Sequence, residues 1–205
     1  MILGGLIIIF AAMINLHAEP SPAAPPDGNI AAAPDEPAEA AAEAPAPEAA
    51  AAPEPSRAAI ERIFVPRAGI DANVVVLGVK PDGEMQSPST PTDVAWYHFT
   101  GYPGFGSNSV FAGHVDFANY GKAVFWHLRD LKEGDEVSVR LTDGTTYAYR
   151  VTSMHSFSSA EAPVQDIIGP TDRESITLIT CDGTFNTRTR HYDKRLVVRA
   201  ERVLG

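Results

Sequence analysis

Six consecutive residues, Ile176-Thr177-Leu178-Ile179-Thr180-Cys181, constrain this chain more than any other stretch. The run is apolar and β-branched and too short for an ordinary helix, so it reads as a strand buried on both faces. It ends on Cys181, the one cysteine of the 205 residues. Fourteen residues later comes Arg195-Leu196-Val197-Val198, a second strand entered through an arginine. Upstream, Val110-Phe111-Ala112-Gly113-His114-Val115-Asp116 brings a histidine to a third strand end. A thiol, an imidazole and a guanidinium at three strand ends make a candidate nucleophile site.

The surrounding pattern is also β. Arg62 to Val65 stops at Pro66, and Asn73 to Val79 runs into the turn Pro81-Asp82-Gly83. Val94 to His98 is a short apolar piece before the Gly/Pro-rich loop Gly101 to Asn108, and Ser109 to Val115 is the strand that carries His114. Val124, Leu128 and Leu131 predict a short helix over 123–131. Strands at 136–141 and 146–151 flank Thr142-Asp143-Gly144-Thr145, a hairpin signal. Strands at 175–181 and 195–202 complete the set, and 156–166 is read as a short helix over the groove. Seven or eight short strands with one or two short helices predict a mostly-β barrel or sandwich.

A single cysteine leaves no internal disulfide, and the roughly 147 residues from 59 onward suffice to bury a core without one. An unpaired thiol in an exported chain flags a reactive group. Export is expected because Ile2 to Leu16 is an uncharged apolar run of fifteen residues. That length suits a signal sequence or an N-terminal anchor better than a full membrane span. Residues 17–58 are dominated by Ala, Pro and Glu and contain no Phe, Tyr or Trp. They predict a disordered, partly extended linker, because too little apolar surface is present to offset chain entropy. Eight acidic residues there face one arginine, so seven of the ten net negative charges lie in the linker. The expected organisation is 1–16 leader or anchor, 17–58 linker and 59–205 folded domain. No basic stripe points to nucleic acid, and no His/Cys/Asp grouping has metal-ligand spacing, so neither metal nor cofactor is expected.

A thiolate attacks carbonyls well and leaves readily, but an ordinary thiol is mostly protonated at neutral pH and needs a base or cation beside it. His114 suits general acid/base work, and an arginine suits stabilisation of an oxyanion. Each residue alone has an ordinary structural explanation: a small buried apolar group, a satisfied histidine, a solvated strand-end charge. His17, His98, His127 and His155 share no spacing with Cys181; His191 is the rival base.

Taken together, Ala-Gly-His, then Thr177-Leu178-Ile179-Thr180-Cys181, then Lys194-Arg195-Leu196-Val197-Val198 resemble the sortase family of cysteine transpeptidases. Phe64-Val65-Pro66-Arg67-Ala68-Gly69-Ile70, Trp96-Tyr97, Pro103-Gly104 and Leu131 to Val137 extend the resemblance over about 60–203. The segments Gly113-His114-Val115-Asp116 and Cys181 to Asn186 look most like class F and class E sortases. The resemblance implies an eight-stranded sortase β-barrel. In it His114 would follow one strand, Cys181 would end the next-to-last long strand and the arginine would open the final one. It implies Cys181 as nucleophile, His114 as general acid/base and Arg195, with Arg190 as the alternative, as oxyanion and substrate stabiliser. Thr180 and Asp116 are candidate substrate-groove residues. The implied substrate is an LPXTG-like sorting signal of an exported protein, cut between Thr and Gly. The implied acceptor is an amine of a cell-wall precursor or a pilin. A monomer outside the cytoplasm is expected, touching membrane only through its N-terminal segment. Two other readings use the same residues: a Cys–His peptidase or amidase that releases to water, and an inactive barrel that binds peptides or wall polymers.

Overall fold

A computed structural model describes residues 54–204; the expected leader and most of the expected linker lie outside the described residues. Among the described residues there are ten strands: β1 Ile60–Val65, β2 Ile70–Leu77, β3 Val94–Tyr97, β4 Asn108–Ala112, β5 Asp116–Phe117, β6 Gly121–Lys122, β7 Glu136–Leu141, β8 Thr146–Ser158, β9 Ser175–Asn186 and β10 His191–Arg202. Eight of them close into a barrel in the order β1-β2-β3-β4-β9-β10-β8-β7, while β5 and β6 form a separate small hairpin. The expected mostly-β, eight-stranded barrel is what forms.

Side-chain alternation accounts for the closure. On β7, Val137, Val139 and Leu141 are buried while the residues between them are not, so one face turns inward. The β7–β8 turn is held by the Asp143 carboxylate, which accepts from Thr145 N–H at 2.9 Å. Gly144 there takes φ +87°, a conformation that glycine adopts without a Cβ penalty. β4 pairs in parallel with β9 and antiparallel with β3, and its side chains divide between two apolar clusters, Phe111 in one and Val110 and Ala112 in the other, so it is covered on both faces. That is why all five of its residues are buried and why its sequence is an uninterrupted run rather than an alternating one.

Two apolar clusters result. The barrel interior holds Ile63, Val94, Phe111, Val139, Leu178 and Val198. The second lies on the outer face of β3, β4, β9 and β10 and includes Tyr97, Val110, Val115, Ile167, Ile179 and Cys181. A single strand, β9, therefore sends Leu178 inward and Ile179 and Cys181 outward.

Several boundaries differ from expectation. The helix expected over 123–131 is a 3-10 turn, Trp126–Asp130. Its backbone bonds run three residues back rather than four, from Trp126 N–H to Ala123 O, Leu128 N–H to Phe125 O and Leu131 N–H to Leu128 O, the tighter 3-10 pattern used in short pieces. The helix expected over 156–166 is instead the end of β8 followed by the short helix α1, Val164–Ile168. Pairing of Ser156, Phe157 and Ser158 with Leu196, Arg195 and Lys194 keeps that backbone extended. Cys181 does not end its strand, and Arg195 is the fifth residue of β10 rather than the first. β9 and β10 run on past the barrel rim as a two-stranded ribbon to Asn186 and His191. Burial, not the strand, stops at Cys181: residues 175–181 are all buried and 183–186 are exposed. Each strand of a ribbon pairs on one side and leaves its outer backbone groups to water, so its position imposes no apolar composition.

Candidate active site

The barrel topology assembles the three predicted residues. β4 and β9 run parallel with Ala112 opposite Ile179, which sets Gly113-His114 alongside Thr180-Cys181. β9 and β10 run antiparallel with Cys181 directly opposite Arg195, and opposed residues share a face. Cys181, His114 and Arg195 are 6%, 3% and 3% exposed. Arg190 is elsewhere, in the turn at the ribbon tip with φ +63° and an exposed side chain. His191 is at the tip too, opposite Asn186. The register thus puts Arg195, not Arg190, opposite Cys181, and the His114 loop, not His191, beside the buried part of the cysteine strand.

His114 is held from several sides. Gly113 N–H donates to Ile179 O at 3.2 Å, and the Thr180 hydroxyl donates to Gly113 O at 2.8 Å. A Cβ on Gly113 would stand 2.8 Å from the Phe125 ring, so this close approach requires glycine. The imidazole Nε2 lies 2.8 Å from Pro88 O, and the ring meets Phe117 edge-on. A carbonyl only accepts, so Nε2 carries the proton and Nδ1 is the nitrogen with a lone pair in the neutral ring. Thr180 is buried, paired with Leu196 and bonded to Gly113. It acts as a strut between the cysteine strand and the histidine loop.

Arg195 Nη1 donates to Ser159 Oγ at 2.9 Å, Tyr192 O at 3.0 Å and Lys194 O at 2.8 Å. Asp116, on β5, accepts from the Tyr192 hydroxyl at 2.5 Å. Asp182 accepts from Ser156 Oγ at 2.6 Å. Just past Cys181 the register shifts: Gly183 and Thr184 face the single residue Asp193. Gly183 takes φ +80° there, and a Cβ on it would fall 2.1 Å from Asp193 Oδ1. Such a bulge increases local twist and re-aims neighbouring side chains, as is common beside active sites.

Burial dominates the electrostatics. It pushes the Cys181 thiol up to about 11, with Arg195 pulling it down and Asp116 and Asp182 pushing it up further. Burial also holds His114 below its ordinary value, against opposing contributions from Pro88 O and Asp116. Both groups are therefore neutral at rest near pH 7. Among the described residues no group of three or more His, Cys, Asp or Glu is placed to hold a metal ion. Pro88, Ser159 and Tyr192 escaped the sequence reading. Their contributions are a main-chain carbonyl, a short hydroxyl and a residue three before Arg195, none of which has a recognisable pattern of its own.

Comparison with known proteins bears on the family and the fold. The sortase domain family matches residues 63–203, and the chain belongs to that family. Among solved structures it is similar to sortase A from Corynebacterium diphtheriae, with 23% identity and a TM-score of 0.56. That match covers 73% of this chain and 63% of the other, so this chain spans under two thirds of that relative's length. It is also similar to sortase A from Listeria monocytogenes, with 23% identity, 72% and 88% coverage and a TM-score of 0.53. Sortase C-1 from Actinomyces oris gives 25% identity, 70% and 73% coverage and a TM-score of 0.54. No curated protein matches by sequence.

Proposed function

We propose that this protein is a cysteine transpeptidase that cleaves an LPXTG-like sorting signal between Thr and Gly and passes the acyl group to an amine. The observation that carries the reading is the register that sets Cys181 opposite Arg195, with His114 two residues past the end of the neighbouring strand β4. Cys181 Sγ attacks the Thr carbonyl carbon, and the developing oxyanion is stabilised by the Arg195 guanidinium. As the C–N bond breaks, His114 gives a proton to the leaving glycine nitrogen, and a thioester remains. An incoming amine then attacks the thioester, His114 takes its surplus proton, and the thiolate departs. Because the thiol titrates above the imidazole, the reacting thiolate–imidazolium pair is the minor protonation state.

The acceptor is an amine of a cell-wall precursor or a pilin. The segments around His114 and Cys181 favour class E or F within the family. Residues 1–16 act as leader or anchor and 17–58 as the linker that gives the 59–205 domain its reach outside the cytoplasm. No helix among the described residues is long and apolar enough to cross a membrane. The test is mass spectrometry of the protein with an LPXTG peptide, with and without a glycine amine. A Thr-terminated adduct on Cys181 that converts to an amide supports the proposal. An adduct that only hydrolyses favours a peptidase, and an inert thiol refutes both.

A further inference from the structure

Resting on that reading, we infer that Tyr192 and Asp116 are a positioning pair, whose hydrogen bond braces the His114 loop against the Arg195 strand and sets the cleft above Cys181. Two elements outside the barrel ladder flank that cysteine. One is the β5–β6 hairpin, which follows His114 by two residues and pairs with no barrel strand. The other is the β9–β10 ribbon, which past Ser158 and Lys194 has no lateral strand beside it. A ladder fixes the pitch of a barrel strand, but nothing of that kind fixes these two elements relative to each other. The Tyr192 hydroxyl, donating to Asp116 Oδ2 across 76 residues of sequence, joins them directly.

Tyr192 also reaches the guanidinium. Its carbonyl accepts from Arg195 Nη1 at 3.0 Å and from Ser159 Oγ at 3.2 Å, and Ser159 Oγ itself accepts from that same Nη1. One residue therefore holds the histidine loop through its side chain and the arginine through its main chain. Displacing the ring would move both relative to Cys181. The half-exposed Phe185 packs on the Tyr192 ring, with centroids 5.2 Å apart, and limits its rotamers. The phenol stays protonated, because burial and the carboxylate both push its ionisation well above the ordinary range, so it donates throughout the working pH range. The charged and titratable groups around Asp116 are Lys122 opposite it on β6, His114, Tyr192 and, through its field, Cys181. Arg129 acts on Tyr192 from the 3-10 turn. The Asp116 charge raises His114 and Cys181 alike, so neutralising it leaves their order unchanged. Loss of the hydrogen bond is then the larger effect.

The experiment is a double-mutant cycle on peptide transpeptidation, with melting curves to verify folding. Tyr192→Phe removes one hydroxyl and is expected to lower kcat by about 10- to 100-fold through misplacement of the reacting groups, with KM within about three-fold. Asp116→Ala is expected to cost as much, and the double variant no more than either single. Asp116→Asn keeps an oxygen that accepts the phenol's hydrogen bond and is expected to restore most of kcat. Unchanged kcat in Tyr192→Phe, or losses that multiply in the double variant, would overturn the inference. Iodoacetamide alkylation of Cys181 at pH 9 separates this from failure of the proposed function, since it needs no substrate. An unbraced cleft opens more often, so Tyr192→Phe is expected to alkylate about three-fold faster or more. An unchanged alkylation rate overturns the brace, and a protein that alkylates as expected but never turns over peptide overturns the transpeptidase reading alone.

Discussion

The ionisation of Cys181 gives a quantitative test of the site. A thiol pushed up to about 11 is ionised in about one molecule in 10⁴ at pH 7, against about 3% for an ordinary thiol at about 8.5. Fewer thiolates lower the alkylation rate about 300-fold, while the greater basicity makes each thiolate roughly ten-fold more nucleophilic. Cys181 should thus react with iodoacetamide about 30-fold more slowly than free cysteine at pH 7, before any shielding by its neighbours. Intact-mass kinetics from pH 7 to pH 10.5 should show a rate rising about ten-fold per pH unit without a plateau. Charge variants should move this rate in opposite directions. Asp182→Asn removes a charge that opposes ionisation and speeds alkylation, whereas Arg195→Gln removes the cation that favours it and slows it. A plateau below pH 9, or a rate at pH 7 equal to that of free cysteine, would refute the claim that burial dominates this thiol.

Arg195→Ala should lower kcat/KM on the sorting peptide about 10²- to 10³-fold, the usual cost of losing one oxyanion donor, while Arg190→Ala stays within about three-fold; the reverse pattern would move the role to the ribbon tip. Gly183→Ala forces φ +80° on a residue with a Cβ and displaces Asp193 Oδ1, which now accepts from Thr184 N–H at 2.7 Å. It should cost about 1–3 kcal/mol in thermal unfolding and lower kcat, and a wild-type melt with wild-type kcat would show that the bulge is dispensable. Asn108→Ala strips the donor to Ile167 O and Gly169 O and the acceptor for Thr177 Oγ1. Leaving those groups buried and unpaired should destabilise the barrel by about 3 kcal/mol and raise KM as α1 loosens, both readable by denaturant titration and steady-state kinetics.

The parts of this fold that were legible in the sequence are those where one physical demand governs a whole run of residues. β4 and the first half of β9 are covered on both faces, so every position is pressed toward small or branched apolar residues and the strand announces itself. The β7–β8 hairpin was legible for a local reason, since the turn is made by the Asp143 side chain and a positive-φ glycine. The expected helix over 156–166 failed because residues 156–158 are drawn into the β8–β10 ladder, while the one over 123–131 shortened to a 3-10 turn whose bonds reach three residues back. Periodicity cannot register a competing partner far along the chain. The ribbon beyond Cys181 was invisible for the opposite reason: a solvent-exposed two-stranded ladder imposes no burial and hence no composition. The site divides along the same line. Cys181, His114 and Arg195 stand out by chemical type, so a reader of the sequence can name them. What holds them is a Pro88 carbonyl, a Ser159 hydroxyl and the Tyr192–Asp116 bond, supplied by segments 26 to 76 residues away from their partners. Those groups are chosen for where the barrel puts them. A search for reactive residue types therefore finds the groups that react, and the groups that position them emerge only after the strand order and register are known.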